Sequence, residues 1–172
     1  MVIYLYIEEM SMPLIGIIAK KKDIQAIKKR VAKDNYEIIE INKESINNFK
    51  NIQFDYIIFL QGINLQDKEY IYMKDIILKC KYLIINADLQ MNSLQNVKID
   101  KPIKLITFGF NSKATITISS VKDEKIIVCI QRDIEKINGK IIESQEKQIK
   151  IVNSKNIYIN LPVFIITELH NL

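Results

Sequence analysis

Glycine, cysteine, histidine and arginine are all scarce in this 172-residue chain, and each scarcity closes off some chemistry. There are four glycines, two cysteines, one histidine and two arginines, Arg30 and Arg132. With so few glycines, a flexible loop whose backbone N–H groups wrap a phosphate has nowhere to form. A single histidine, third from the end, leaves a Ser/His/Asp or Cys/His apparatus without its usual base. Two cysteines, Cys80 and Cys129, make neither a disulfide framework nor a CxxC motif. Both sit among aliphatic residues and read as buried thiols of a cytoplasmic protein. No apolar run approaches the roughly 18 residues that cross a bilayer. Met1–Ile7 has no basic flank and runs into Glu8-Glu9, so a signal peptide is not expected, and neither is a membrane partner.

Aliphatic residues are plentiful. Isoleucine is roughly a fifth of the chain, against far lower ordinary usage. Lysine and asparagine are also frequent, a bias typical of an AT-rich genome such as that of a low-GC Gram-positive bacterium. Apolar residues make up 48% and charged residues 26%, which excludes disorder and lets one domain of this length hold together by its core. The net charge is +5, much of it in Lys20-Lys21-Lys22 and Lys28-Lys29-Arg30. Without arginines and exposed aromatics beside them, these lysines read as a solvated helix face, and nucleic acid is not expected as a partner. Paired acids such as Asp123-Glu124 read as solvated turns.

The order of elements predicts a doubly wound, mostly parallel α/β sheet over 1–110 and a small antiparallel β part over 111–172, in one domain. Leu14–Ala19 is a continuous apolar run suited to a strand covered on both faces. Residues 21–34 carry a stripe of Ile24, Ile27 and Val31 at helical spacing. Strands are expected at Tyr36–Ile41, Phe54–Leu60, Tyr82–Ile85 and Ile103–Phe108, with helices over Glu44–Lys50 and 67–80. Beyond residue 110, Ala114–Val121, Lys125–Arg132, Ile141-Ile142, Gln148–Val152 and Ile157–Leu161 read as short strands, and Asn138-Gly139 as a hairpin turn. Val163–Leu172 fits strand or helix equally.

One stretch carries a resemblance. Phe54–Leu60, then Tyr82–Ile85 ending in Asn86-Ala87-Asp88, then Thr107-Phe108-Gly109-Phe110, resemble in order and spacing the central domain of the Mur ligases, the ATP-dependent amide-forming enzymes of peptidoglycan synthesis. Asn111–Ile116 then opens a small antiparallel segment, as in that family. The resemblance covers about 120 residues, and it implies a doubly wound nucleotide-binding scaffold. It also shows what is missing. The family's phosphate loop ends in Gly-Lys-[Ser/Thr]; here the first strand gives Gly16-Ile17-Ile18-Ala19-Lys20-Lys21-Lys22. The family's Thr-Asn and Asp-His, which serve nucleotide and metal, are replaced by Gln61–Asp67, with Asn64 and Asp67 as polar remnants. Lys74 falls near a lysine that is carbamylated in many members, but reads here as a solvated helix residue. His170-Asn171 is similar to a His-Asn pair that opens a helix in the family, although its spacing is too long.

The resemblance thus implies a non-catalytic domain that holds no cofactor or metal and acts through a protein partner or self-association, in cell-envelope or sporulation processes. The alternative is a small-molecule or nucleotide-binding module. Ligands of open α/β sheets bind beyond the carboxyl ends of the strands at a topological switch point. Loops there include Ala19–Lys22, Gln61–Gln66 and Asn86–Gln90, and Lys20, Gln61, Asn64, Asn86 and Asp88 are the residues that could meet a ligand. An enzyme of unrecognised type is a further alternative that no set of residues supports.

Overall fold

A computed structural model of the chain describes residues 12–32, 35–89, 94, 97, 99–151 and 156–170. Met1–Ile7, Glu8-Glu9, positions 33 and 34, Gln90, Val152 and Asn171-Leu172 lie outside them. The strands are β1 (Leu14–Ile18), β2 (Glu37–Glu40), β3 (Tyr56–Phe59), β4 (Tyr82–Asn86), β5 (Lys104–Gly109), β6 (Ile116–Lys122), β7 (Lys125–Ile130), β8 (Ile134–Glu135), β9 (Ile141–Ile142) and β10 (Gln145–Lys150). The helices are α1 (Lys21–Val31), α2 (Ile46–Phe49), α3 (Asp67–Lys79) and α4 (Asn160–His170).

The main sheet has eight strands in the order β10-β7-β6-β5-β4-β3-β1-β2. The six strands from β2 to β6 run parallel, and β7 and β10 are antiparallel to their neighbours. β8 and β9 form a separate two-stranded hairpin closed through Gly139 at φ 79°. The antiparallel part therefore continues the parallel sheet. Only Phe108↔Ile116 and Gly109↔Thr117 are in register between β5 and β6, so the two strands overlap end to end. That stagger explains how six residues can join parallel neighbours, a link that otherwise needs a crossover of a dozen or more.

Both faces of the parallel strands are covered. On one face, Ile15, Ile17, Ile58 and Ile84 pack with Ile24, Ile27 and Val31 of α1 and with Leu161, Ile165 and Ile166 of α4. On the other, Ile18, Ile57, Phe59 and Leu83 pack with Ile46 of α2 and Met73, Ile76 and Ile77 of α3. Each such aliphatic side chain stabilises the fold by about 1.5–3 kcal/mol relative to exposure. At the opposite end from the candidate site, Asp55 fastens three strands: its carboxylate accepts from the Leu14 N–H at 2.8 Å and pairs with Lys81 at 2.6 Å. Helix α3 begins with a capping box, in which the Gln66 N–H donates to the Glu69 carboxylate at 2.6 Å and the Gln66 side chain accepts from the Glu69 N–H.

One sequence expectation fails. Ile157–Leu161 is not a strand: Ile157–Ile159 is a 3-10 turn started by Asn156, whose side chain accepts from the Tyr158 N–H, and Leu161 lies in α4. Ile159 and Leu161 are buried in the layer that holds α1, and Ile157 and Tyr158 pack half-buried against it. Val163–His170 resolves as helix in the same element. No helix among the described residues is long and apolar enough to cross a membrane.

Two groups give tests of this core, Cys80 and the buried Tyr56; both cysteines, expected as buried thiols, are half-buried. The Tyr56 hydroxyl is enclosed without a hydrogen-bond partner among the described residues, and burial raises its pKa. Tyr56→Phe removes a desolvated donor and should raise stability by about 1 kcal/mol in urea denaturation. Burial also pushes the Cys80 thiol up to about 12, while its S–H donates to the Ile77 carbonyl at 3.1 Å. The fold holds this proton more tightly than the unfolded chain does. The associated stability is therefore complete below the ordinary thiol value and is lost as pH climbs towards 12. With its thiol held in the protonated form, Cys80 should react with iodoacetamide at pH 8 markedly more slowly in the native protein than after denaturation.

Candidate functional site

The strand order reverses between β1 and β3, which makes the carboxyl ends of these strands the place to look for a site. The sequence folds there into a tight, apolar crest. Only Ala19 and Lys20 separate β1 from α1, and Ala19 is buried. The Lys20 carbonyl accepts from the Asp23 and Ile24 N–H groups at 2.8 and 3.1 Å, so the helix starts at once. Ile41, Leu60, Ile63 and Leu65, which follow β2 and β3, are all buried. Two glycines are nearby: Gly62 is exposed in the loop after β3, whereas Gly16 lies mid-strand, where a Cβ would meet Ile41 Cδ1 at 2.5 Å and Ile57 Cδ1 at 2.7 Å. Its missing side chain makes room for isoleucine on the α2–α3 face. The connection itself, Ala19-Lys20, contains no glycine.

The five residues singled out from sequence fall into two groups. Asn86 and Asp88 are joined: the Asn86 side-chain carbonyl accepts from the Asp88 N–H at 3.0 Å, and Asn86 is only 4% exposed. The Asp88 carboxylate then reaches across to the loop after β5. It accepts from the Phe110 N–H at 2.6 Å, the Asn111 N–H at 2.9 Å and the Tyr158 hydroxyl at 3.1 Å. Burial, and then the hydrogen bond to Asp88, raise the Tyr158 pKa, and its ring meets Phe110 edge-on at 5.6 Å. Lys20, Gln61 and Asn64 stand apart from this cluster. Lys20 and Asn64 are exposed and Gln61 is half-buried, its N–H donating to the Ile18 carbonyl at 3.3 Å. Among the described residues, no side-chain hydrogen bond links these three to one another or to Asn86 and Asp88.

Gly109 shows how closely Asp88 is drawn in. It sits at φ 150°, and a Cβ there would collide with Asp88 Oδ2. The same loop is closed by a threonine pair: the Thr115 N–H donates to Thr107 Oγ1 at 2.9 Å, and the two hydroxyls lie 3.2 Å apart. These contacts lock the staggered overlap of β5 and β6. Asn86, Asp88, Thr107 and Thr115 thus act as a structural joint. Nothing in the sequence pointed to Tyr158, which lies 70 residues from Asp88 and fell within an expected strand.

Sequence reasoning also passed over a shallow groove of about 750 Å³ beside this crest, between the N-termini of α2 and α3. Lys43, Asn47, Gln66, Asp67, Lys68 and Tyr72 line it. Its charges are of both signs, and Lys43 stands 4.0 Å from the capping carboxylate of Glu69. Lys74, further along α3, pairs with Asp100 at 2.9 Å on the surface. His170 is the last residue of α4 and packs edge-on against Tyr36 at 5.4 Å. Among the described residues, no three His, Cys, Asp or Glu side chains cluster as a metal ion would require.

No protein-family model matches the chain, and no curated protein is similar to it in sequence.

The joint can be tested directly. Gly109→Ala forces a collision at a backbone angle that side chains rarely adopt, and should cost about 1–3 kcal/mol in chemical denaturation. Asp88→Ala leaves two loop N–H groups to water and should cost about 1 kcal/mol, since Asp88 is exposed.

Proposed function

We propose that the chain is a non-catalytic, Mur-ligase-like α/β domain that works through protein contacts, with its cell-envelope or sporulation setting resting on the resemblance alone. One observation carries this reading: the link from β1 to α1 is two residues long and its first residue is buried. A triphosphate needs several backbone N–H groups turned towards it and a glycine-lined approach. A helix that starts directly after an isoleucine strand supplies neither. The positive end of the α1 dipole also faces Lys20, Lys21 and Lys22, which oppose it, with Asp23 as the acid of the first turn. The polar residues of the crest support the same reading, because Asp88 already accepts three internal hydrogen bonds.

A second reading, a small-molecule-binding module, is favoured by the groove between α2 and α3, which lies on the edge where α/β sheets bind ligands. Lys43, Lys68 and Asp67 would supply its polar contacts and Tyr72 its apolar wall.

Calorimetric titration with ATP and Mg²⁺ separates the two from a working nucleotide site. The expected result is no saturable heat up to about 1 mM, an affinity weaker than about −4 kcal/mol. Micromolar binding with hydrolysis overturns the non-catalytic reading. A melting-temperature rise with a nucleotide or cell-wall precursor, abolished by Lys43→Ala, would instead establish the second reading.

A further inference from the structure

The outer edge of β10 has no pairing partner among the described residues, and its sequence is complementary to itself. β10 is the last strand of the eight-stranded sheet and pairs only with β7. Its register there is Gln145↔Ile130 through Lys150↔Lys125, and the next bond runs from the Ile151 N–H to the Glu124 carbonyl at 2.7 Å. Ladder bonds alternate along an antiparallel strand. Gln145, Lys147, Ile149 and Ile151 therefore turn their N–H and C=O groups towards β7. Glu146, Gln148 and Lys150 turn theirs outward, and all three are exposed.

A second strand can bond only to those outward residues. Placing a two-fold axis at Gln148 brings Glu146 opposite Lys150 of a second copy, and Lys150 opposite its Glu146. The two Gln148 side chains then meet at the axis, where each amide can donate to and accept from the other. Sliding the register by two residues in either direction loses both opposite-charge pairs. On the other face, Lys147 brings no free charge to the seam, because it already pairs with Glu168 of α4 at 2.6 Å. Cross-strand ion pairs contribute about 0.2–1 kcal/mol each, and like charges in the same places are repulsive. An exposed edge is normally blunted by charges of one sign or by its shortness. The opposite edge follows that rule: β2 is four residues long and carries Glu37 and Glu40, so self-pairing there would gather acids.

We infer that β10 is a self-association edge, on which a second copy of this chain pairs antiparallel about Gln148 and extends the sheet across a two-fold axis. This deepens the protein-contact reading, and rests on it, by giving that reading a surface and a partner.

The test is sedimentation equilibrium of the full chain and of three variants, each checked for native melting. The wild type is expected to dimerise, more weakly in high salt. Glu146→Lys and Lys150→Glu each turn two attractive pairs into two repulsive ones, and each should raise the dissociation constant at least about tenfold. The double variant Glu146→Lys/Lys150→Glu restores both pairs and should return to within about threefold of wild type. A chain that stays monomeric at about 200 μM, single reversals without effect, or a double variant that fails to recover each overturns the inference. A monomer that ignores ATP and Mg²⁺ removes the β10 surface alone, whereas a charge-sensitive dimer that binds ATP removes the non-catalytic reading alone.

Discussion

Every other feature of this fold depends on covering β3 from both sides. Its four residues, Tyr56–Phe59, are at most 1% exposed, and they alternate between two separate aliphatic layers. A parallel strand in the middle of a sheet has no face that can be left to water. α2 and α3 must therefore lie on one side, and α1 with α4 on the other. Isoleucine suits the same demand, since a β-branched side chain fits a pleated surface with little rotamer freedom to lose. A chain built this way has few positions free for polar chemistry near its switch point, and the residues there, Ala19, Ile41, Leu60, Ile63 and Leu65, continue the core.

The polar residues at the strand ends answer a second demand. Parallel strands β5 and β6 are neighbours in sequence as well as in space, and the loop between them turns back over few residues. Its N–H groups need acceptors, and Asp88 from the end of β4 provides them, with Tyr158 bringing in the chain just before α4. A carboxylate beside a strand end looks the same in sequence whether it awaits a ligand or closes a loop. In Asn86-Ala87-Asp88 the carboxylate closes a loop, and Asn86 orients Asp88 by accepting its N–H.

Much of the parallel half was legible. Ile24, Ile27 and Val31 mark α1 by spacing, and the uninterrupted apolar runs at Leu14 and Phe54 mark strands that are covered on both faces. The misreading of Ile157–Leu161 has a physical cause, because a short apolar run has the same composition as a buried strand or a buried helix turn. Pro162 held the missing clue: proline suits the first turn of a helix and cannot sit in a central strand. Lys20, Gln61 and Asn64 were correctly placed on the strand-end edge, but sequence could not say whether they meet, since that depends on how far Ile63 and Leu65 sink into the core. The groove beside α2 was hidden for the same reason. Lys43 and Asp67 are 24 positions apart, and no periodicity relates them.

The short overlap between β5 and β6 sets where the sheet is mechanically weakest. Elsewhere in the main sheet, neighbouring strands share four to six registered positions, but here they share two, so five residues of β6 run on past the end of β5. The molecule is stepped, with one terrace of parallel strands and another of β6, β7 and β10 offset along the strand direction. Pulling on the outer terrace would load that narrow ladder through few main-chain bonds, and Asp88 with the Thr107–Thr115 pair supplies the side-chain bonds that hold it.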